Sequence, residues 1–398
     1  MRVAIVADVY PPLRSSGAVQ LRDLSREFVA QGHETVMLVA SPELDRSWRI
    51  DEEDGVTVAR LRSPRSKDMG YVRRMAGEFL MPFAMMRNYR KSPLAEGRFD
   101  AIIWYSPTIF LGPVVRWLKR WSGCPSYLII RDIFPQWAAD MGLISRGPAF
   151  QLLDRIAHYQ YRSADVIGVQ TPGNLTFFEG FRARHPECRM EVLQNWLGEA
   201  PDHGCSIDIA STSLAGRRIF VYAGNMGVAQ QMDKLLDLAV AMRAREDVGF
   251  LFVGRGSEAQ RLRQLASERS PDNILFEDEI SPDDIPRLYR QCHVGMICLD
   301  SRHRTHNIPG KFLTYMQSGL PVLASINDGN GLQGLVEARG VGRVSVEAEG
   351  RDLPALVDEL IAGELADPDI GARCRALSDE LFSARAAVDQ IVAAMTRP

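Results

Sequence analysis

A lysine stands directly after a Pro-Gly pair in the stretch NIPGKFLTYMQSGLPVLAS, Asn307 to Ser325. Pro309 and Gly310 break the chain, a short helical pattern follows, and Gly319 closes it before the apolar run Val322-Leu323-Ala324. A helix start carries unpaired N–H groups and the positive end of its dipole, so Lys311 suits either a solvated helix start or an anion site. Three other loops raise the same choice. ADVYPPLRSSGAVQ sets Gly17 just before a helix, although the G-x-G-x-x-G dinucleotide fingerprint is absent. YAGNMGVAQQMDKLL repeats strand, Gly-containing loop and helix; a diphosphate could rest there near Gly227, with Asn225 donating through its amide. VGRGSE aims Arg255 at the same end of a sheet. Any one of these is as readily a structural turn as a ligand loop; together with Lys311 they point to one edge.

IIRDIFPQWAADMG puts Arg131 and Asp132 at the end of an apolar strand, where active residues of parallel sheets tend to sit. Asp132 there is a base, an orienter of a hydroxyl, or the cap of the following turn. Asp300, His303 and His306 recur at intervals of three, but Arg302 and Arg304 between them are poor zinc context. No metal is therefore expected, and His306 either faces a ligand or lies in a solvated loop.

The elements that must hold these residues alternate along the whole chain. RVAIVAD, then a helical pattern through Val19, Leu21, Leu24 and Phe28, then ETVMLVA form a strand–helix–strand unit. DAIIWYS, SYLIIRD and ADVIGVQT continue it, which predicts a parallel, doubly wound sheet. Periodicity lapses between Gly198 and Gly216, and a second series starts with RIFVYAGNMG, VGFLFVGRG, DNILFEDEI, VGMICLD and PVLAS. The expected organisation is a first domain over 1–200, a second over 201–380, and a C-terminal helix over 381–398 returning to the first. Two such Rossmann-like α/β domains predict a cleft between them, with ligand loops at the carboxyl ends of the strands.

At 398 residues the chain is long enough for two cores, and its net charge of −3 argues against a nucleic-acid binder. Six scattered cysteines with no C-x-x-C pair read as reduced thiols. Charge is uneven, however. Nine Lys or Arg and two acids lie between Arg60 and Lys91, around the apolar segment EFLMPFAMM. That combination suits an anionic membrane surface, or else a solvated excursion packed on its own domain.

Taken together, DVYPPLRSSGAVQLRDL, IIRDIFPQWAADMGL, ADVIGVQT, VLQNWL, YAGNMGVAQQMDKLL, FVGRGSE and NIPGKFLTYMQSGLPVLA resemble the retaining GT-B glycosyltransferases of family four. The likeness covers nearly the whole chain and leans toward the branch that adds aminodeoxy sugars, such as N-acetyl-L-fucosamine, in bacterial surface polysaccharides (O-antigen, capsule or lipopolysaccharide). It implies metal-free transfer, with retention, from a nucleotide sugar that serves as co-substrate and is expected to be UDP-linked. The implied acceptor is a polyprenyl-diphosphate-linked saccharide, and the implied location is the cytoplasmic face of the inner membrane. Lys311 would meet the diphosphate, with Asn225, Gly227 and Arg255 around it and Glu279 and Ile280 near the base. Gly17, His306, Pro309, Gly310 and Thr314 complete the implied donor site, while Asp132, Arg131 and Lys311 form the implied catalytic set. The sequence departs from the wider family at five positions. His306 and Thr314 replace its two glutamates, Asn225 and Gln230 replace a diphosphate-binding arginine and lysine, and Arg131 replaces a histidine. Competing classes are an epimerase or hydrolase on the same fold, for which Asp132 is the one good acid, and a non-catalytic nucleotide-sugar binder. Nothing in the sequence indicates an oligomeric state.

Overall fold

The computed structural model describes residues 1–13, 15–65, 70–140, 142–199, 204–227, 230–269, 272–299, 308–346 and 349–396. It divides into two compact units, Met1–Gly198 with Ala384–Pro398, and Glu199–Ser383.

The first unit opens with β1 (Arg2–Ala7), α1 (Ser16–Ala30), β2 (Glu34–Ser41), β3 (Trp48–Glu53) and β4 (Val56–Arg62). It continues through α2 (Tyr71–Tyr89), β5 (Ala101–Ser106), α3 (Gly112–Ser122), β6 (Ser126–Ile130), α4 (Gln136–Asp140) and α5 (Pro148–Tyr161). After β7 (Val166–Val169), α6 (Pro172–Leu175) and α7 (Glu179–Arg184) it ends on β8 (Arg189–Val192). The eight strands lie in the order β3-β4-β2-β1-β5-β6-β7-β8, all parallel except β3. Strands β1, β2, β5 and β6 are buried almost end to end because helices cover both faces, which is why they read as continuous apolar runs. The β3–β4 hairpin is an element the periodicity argument passes over. Its signal is the Asp54-Gly55 pair, both at positive φ (52° and 78°), in a two-residue hairpin turn.

The second unit contains β9 (Arg218–Ala223), α8 (Asp233–Ala241), β10 (Val248–Val253), α9 (Ala259–Arg269), β11 (Ile274–Glu277) and α10 (Ile285–Tyr289). Then come β12 (Val294–Cys298), α11 (Gly310–Ser318), β13 (Val322–Ile326), α12 (Leu332–Arg339), β14 (Gly342–Val346), α13 (Leu353–Ala362) and α14 (Ile370–Leu381). Its six strands are all parallel, in the order β11-β10-β9-β12-β13-β14. The last helix, α15 (Ala384–Thr396), belongs to the first unit and packs against α1. Both sheets are therefore doubly wound. Their strand order reverses at β1/β5 and at β9/β12, and loops diverging from the carboxyl ends at such reversals leave room for a ligand.

Candidate functional site

In the second unit the loops after β9 and β10 run against each other. Gly224 N–H donates to Val253 O at 2.8 Å, Met226 N–H to Arg255 O at 2.8 Å, and Glu258 N–H to Met226 O at 3.0 Å. Gly254 and Gly256, at φ of 142° and 152°, are what allow this approach. A Cβ on Gly254 would lie 2.1 Å from Gly224 O, and one on Gly256 would lie 2.3 Å from Met226 O. Any side chain there would separate the two loops.

Helix α11 then delivers Lys311 onto this platform. Pro309 occupies the N-cap and Gly319 ends the helix in the left-handed region. Tyr315 bolts α11 to the sheet, its hydroxyl reaching Val221 O at 3.1 Å and Met296 O at 3.2 Å. The ring packs so close to Gly295 that a Cβ there would lie 2.3 Å from it. One turn earlier, Lys311 Nζ sits 4.6 Å from the centroid of the Tyr222 ring, and a Cβ on Gly224 would lie 3.0 Å from the same nitrogen. Burial lowers the lysine pKa to about 8, and no carboxylate among the described residues offsets that burial. The tyrosine face supplies only the weak compensation of a cation–π contact. A desolvated cation beside a helix N-terminus and two glycine loops is arranged to receive an anion.

The other expected donor residues gather less tightly. Gly227 N–H donates to Gln230 Oε1 at 3.0 Å and Asn225 Nδ2 to the same oxygen at 3.3 Å, so Gln230 shapes this loop from within. Arg255 is exposed and pairs with Glu279 at 2.9 Å, which brings two of the expected residues together; Ile280 follows, half-buried. Thr314 donates its hydroxyl to Lys311 O at 2.9 Å, within its own helix. Gly310 has open space where a Cβ would lie. His306, like Asp300 and His303, lies outside the described residues.

The carboxyl edge of the first unit is built differently. Gly17 is a packing contact: a Cβ there would come 3.2 Å from the Tyr105 ring and 3.5 Å from Val9. Tyr105 donates to Gln20 at 2.8 Å, and burial raises its pKa to about 12. Arg131, expected among the reacting groups, is instead buried inside the protein. It donates to Leu193 O at 2.9 Å and Gln194 O at 3.3 Å, and its guanidinium lies 4.6 Å from the Trp196 ring centroid. Burial lowers its pKa, with Tyr105 and Tyr127 opposing the shift. Its neighbour Asp132 reaches the surface yet is surrounded largely by protein, and that desolvation raises the carboxyl pKa against the pull of Arg131. A cavity of about 580 Å³ at this edge is lined by Asp8, Tyr10, Leu13, Val39, Arg60 and Met81 among others. Among the described residues no three His, Cys, Asp or Glu come together as metal ligands. Tyr222 and Trp196 escape the sequence reading, since each passes for an ordinary core aromatic.

Two doubly wound units in one chain are the architecture of the GT-B fold. Residues 17–196 match the profile of the glycosyl transferase 4-like domain, and residues 217–362 match that of glycosyl transferases group 1. The two matches span most of the chain, which belongs to these glycosyltransferases. It is 25% identical over 331 residues to WcaI of Escherichia coli (strain K12), named as a colanic acid biosynthesis glycosyl transferase, covering 74% of this chain and 76% of that one. Among solved structures, Anabaena HepE in complex with UDP superposes with a TM-score of 0.66 at 15% identity, covering 99% of each chain. WaaG, a glycosyltransferase involved in lipopolysaccharide biosynthesis, superposes with a TM-score of 0.63 at 13% identity over 100% of each chain.

Proposed function

We propose that this glycosyltransferase moves a sugar from a UDP-sugar to a lipid-linked saccharide during synthesis of a bacterial surface polysaccharide. Retention of the anomeric configuration and an aminodeoxy sugar are part of the same reading and rest on the motif resemblance. The observation that carries it is Lys311, a desolvated ammonium with no acidic partner among the described residues, seated at a helix start against Gly224. Polysaccharide synthesis is supported by the likeness to WcaI, and a uridine diphosphate by the likeness to HepE.

As the bond from the anomeric carbon to the diphosphate breaks, its electron pair passes to the leaving phosphate oxygen. Lys311 stabilises that growing charge, and no metal is required by this reading. The acceptor hydroxyl forms the new bond to the anomeric carbon and passes its proton to the departing phosphate oxygen. Asp132, exposed at a strand end of the first unit, is the acid assigned to orienting a hydroxyl. UDP release measured with and without a lipid-linked acceptor tests the proposal. Release that requires the acceptor and collapses in Lys311→Ala is expected. Acceptor-independent turnover would assign the chain to hydrolysis or epimerisation instead.

A further inference from the structure

Helix α2 carries an exposed stripe that no core residue covers. Its inner side, through Met81, Met85 and Tyr89, enters the core of the first unit against β4 and α3. Its outer side runs through Arg73, Ala76, Leu80, Phe83, Arg87 and Arg90, at the alternating three- and four-residue spacing of one helix face. Phe79 joins the centre of the stripe, its ring 5.9 Å from that of Phe83. Phe79, Leu80 and Phe83 are 53%, 51% and 46% exposed. Three of the eight large apolar side chains exposed among the described residues thus crowd into little more than one helical turn. Such clustering differs from the single apolar residues scattered over ordinary surfaces.

The rim of this patch is arginine at both ends. Arg73 and Arg87 have no acidic partner among the described residues, and Arg90 lies over the Trp117 ring at 4.9 Å. The helix's one acid, Glu78, is half-buried and tied to Arg74 at 2.8 Å. A second copy of this chain pressing the same face across a two-fold axis would set arginine against arginine. We infer that the α2 face docks the first unit on an anionic lipid surface, with Phe79, Leu80 and Phe83 entering the acyl boundary and Arg73, Arg87 and Arg90 meeting lipid phosphates. No described helix is long and apolar enough to cross a membrane, so contact is confined to the interface. The inference deepens the reading of a lipid-linked acceptor, and it is tested without relying on catalysis.

The full chain is sedimented with vesicles of phosphatidylcholine alone and of phosphatidylcholine mixed with phosphatidylglycerol. Wild type should partition onto the mixed vesicles, less so as salt is raised. The triple variant Phe79→Ser, Leu80→Ser, Phe83→Ser and the double variant Arg73→Glu, Arg87→Glu should each lose roughly tenfold or more of that partitioning. The circular-dichroism spectrum and thermal unfolding profile should stay unchanged in both, which shows that the variants fold, and unchanged UDP binding separates this inference from the donor reading. Partitioning that is equal on both vesicle types, or unaltered by either variant, would overturn the inference. So would a wild-type dimer, indifferent to lipid, that the triple variant converts to monomer, since the face would then belong to a second copy.

Discussion

Each unit carries a cation at the carboxyl edge of its sheet, and the two are treated in opposite ways. In the first, the guanidinium of Arg131 is buried with two backbone carbonyls and an aromatic face to satisfy it. In the second, the ammonium of Lys311 is held beside Tyr222 and Gly224 with no carboxylate among the described residues to neutralise it. A cation whose donors are spent on the protein is a strut, and removing it exposes what it was holding. A cation kept desolvated and uncompensated is unfavourable in the empty protein and becomes favourable when an anion arrives. Position at the carboxyl edge of a sheet does not distinguish the two; the inventory of partners does.

The sharpest break in the comparison is turnover. Lys311→Ala should lower kcat roughly a hundred- to a thousand-fold, or about 3–4 kcal/mol of transition-state stabilisation, with a smaller rise in donor KM. Lys311→Arg should recover only part of this, because a planar fork differs from a compact ammonium. Steady-state kinetics on both variants decide it, and an alanine variant with wild-type turnover would make Lys311 an ordinary helix-start lysine.

Stability gives the next contrast. Arg131→Ala should cost about 2–4 kcal/mol, since two buried carbonyls lose their donor and Trp196 loses its cover. Lys311→Met, without ligand, should instead gain about 1–3 kcal/mol by removing a desolvated charge. Urea titrations of the ligand-free variants read both signs, and a destabilised Lys311→Met would erase the distinction drawn here.

A pH series sharpens the same point. The folded lysine titrates near 8 rather than 10.5, so the unfolded chain binds more protons in that window. Stability of the empty protein should therefore rise as pH climbs from about 8 toward 10.5. Donor affinity should do the reverse and fall through about 8 as the ammonium is lost, and Lys311→Ala should flatten that profile. Calorimetry of UDP binding across this range checks it. The smallest effect belongs to Arg255→Ala. Its ion pair with Glu279 is exposed, so stability should change by less than about 1 kcal/mol while UDP binding weakens a few-fold.

The sheets were legible because buried parallel strands announce themselves as apolar runs. The Lys311 loop was legible because a Pro-Gly break, a lysine and a closing glycine are local signals. What escaped was long-range. Arg131 reads as a strand-end residue in the usual place for active groups until Leu193, Gln194 and Trp196, far along the chain, return to enclose it. Tyr222 lies inside the run RIFVYA and looks like core, and indeed is core, yet the face of its ring is where the lysine rests. VGRGSE drew notice for its arginine, whereas its two glycines are what allow the neighbouring loops to touch. The stripe on α2 was present as a cluster of arginines and aromatics, but only the helix phase showed which of them share a face.

The return of α15 has a consequence for how the protein is made. Its residues Ala387, Val388 and Ile391 fill a core with α1, Gln390 donates to Glu191 at 2.8 Å and Val192 O at 2.9 Å, and Arg189 binds Ala394 O. Met1–Gly198 leaves the ribosome before Glu199–Ser383 yet lacks α15 until that whole segment is translated, its α1 groove uncovered meanwhile. Damage to α15 therefore wounds a core whose other residues precede Glu199–Ser383 in the chain.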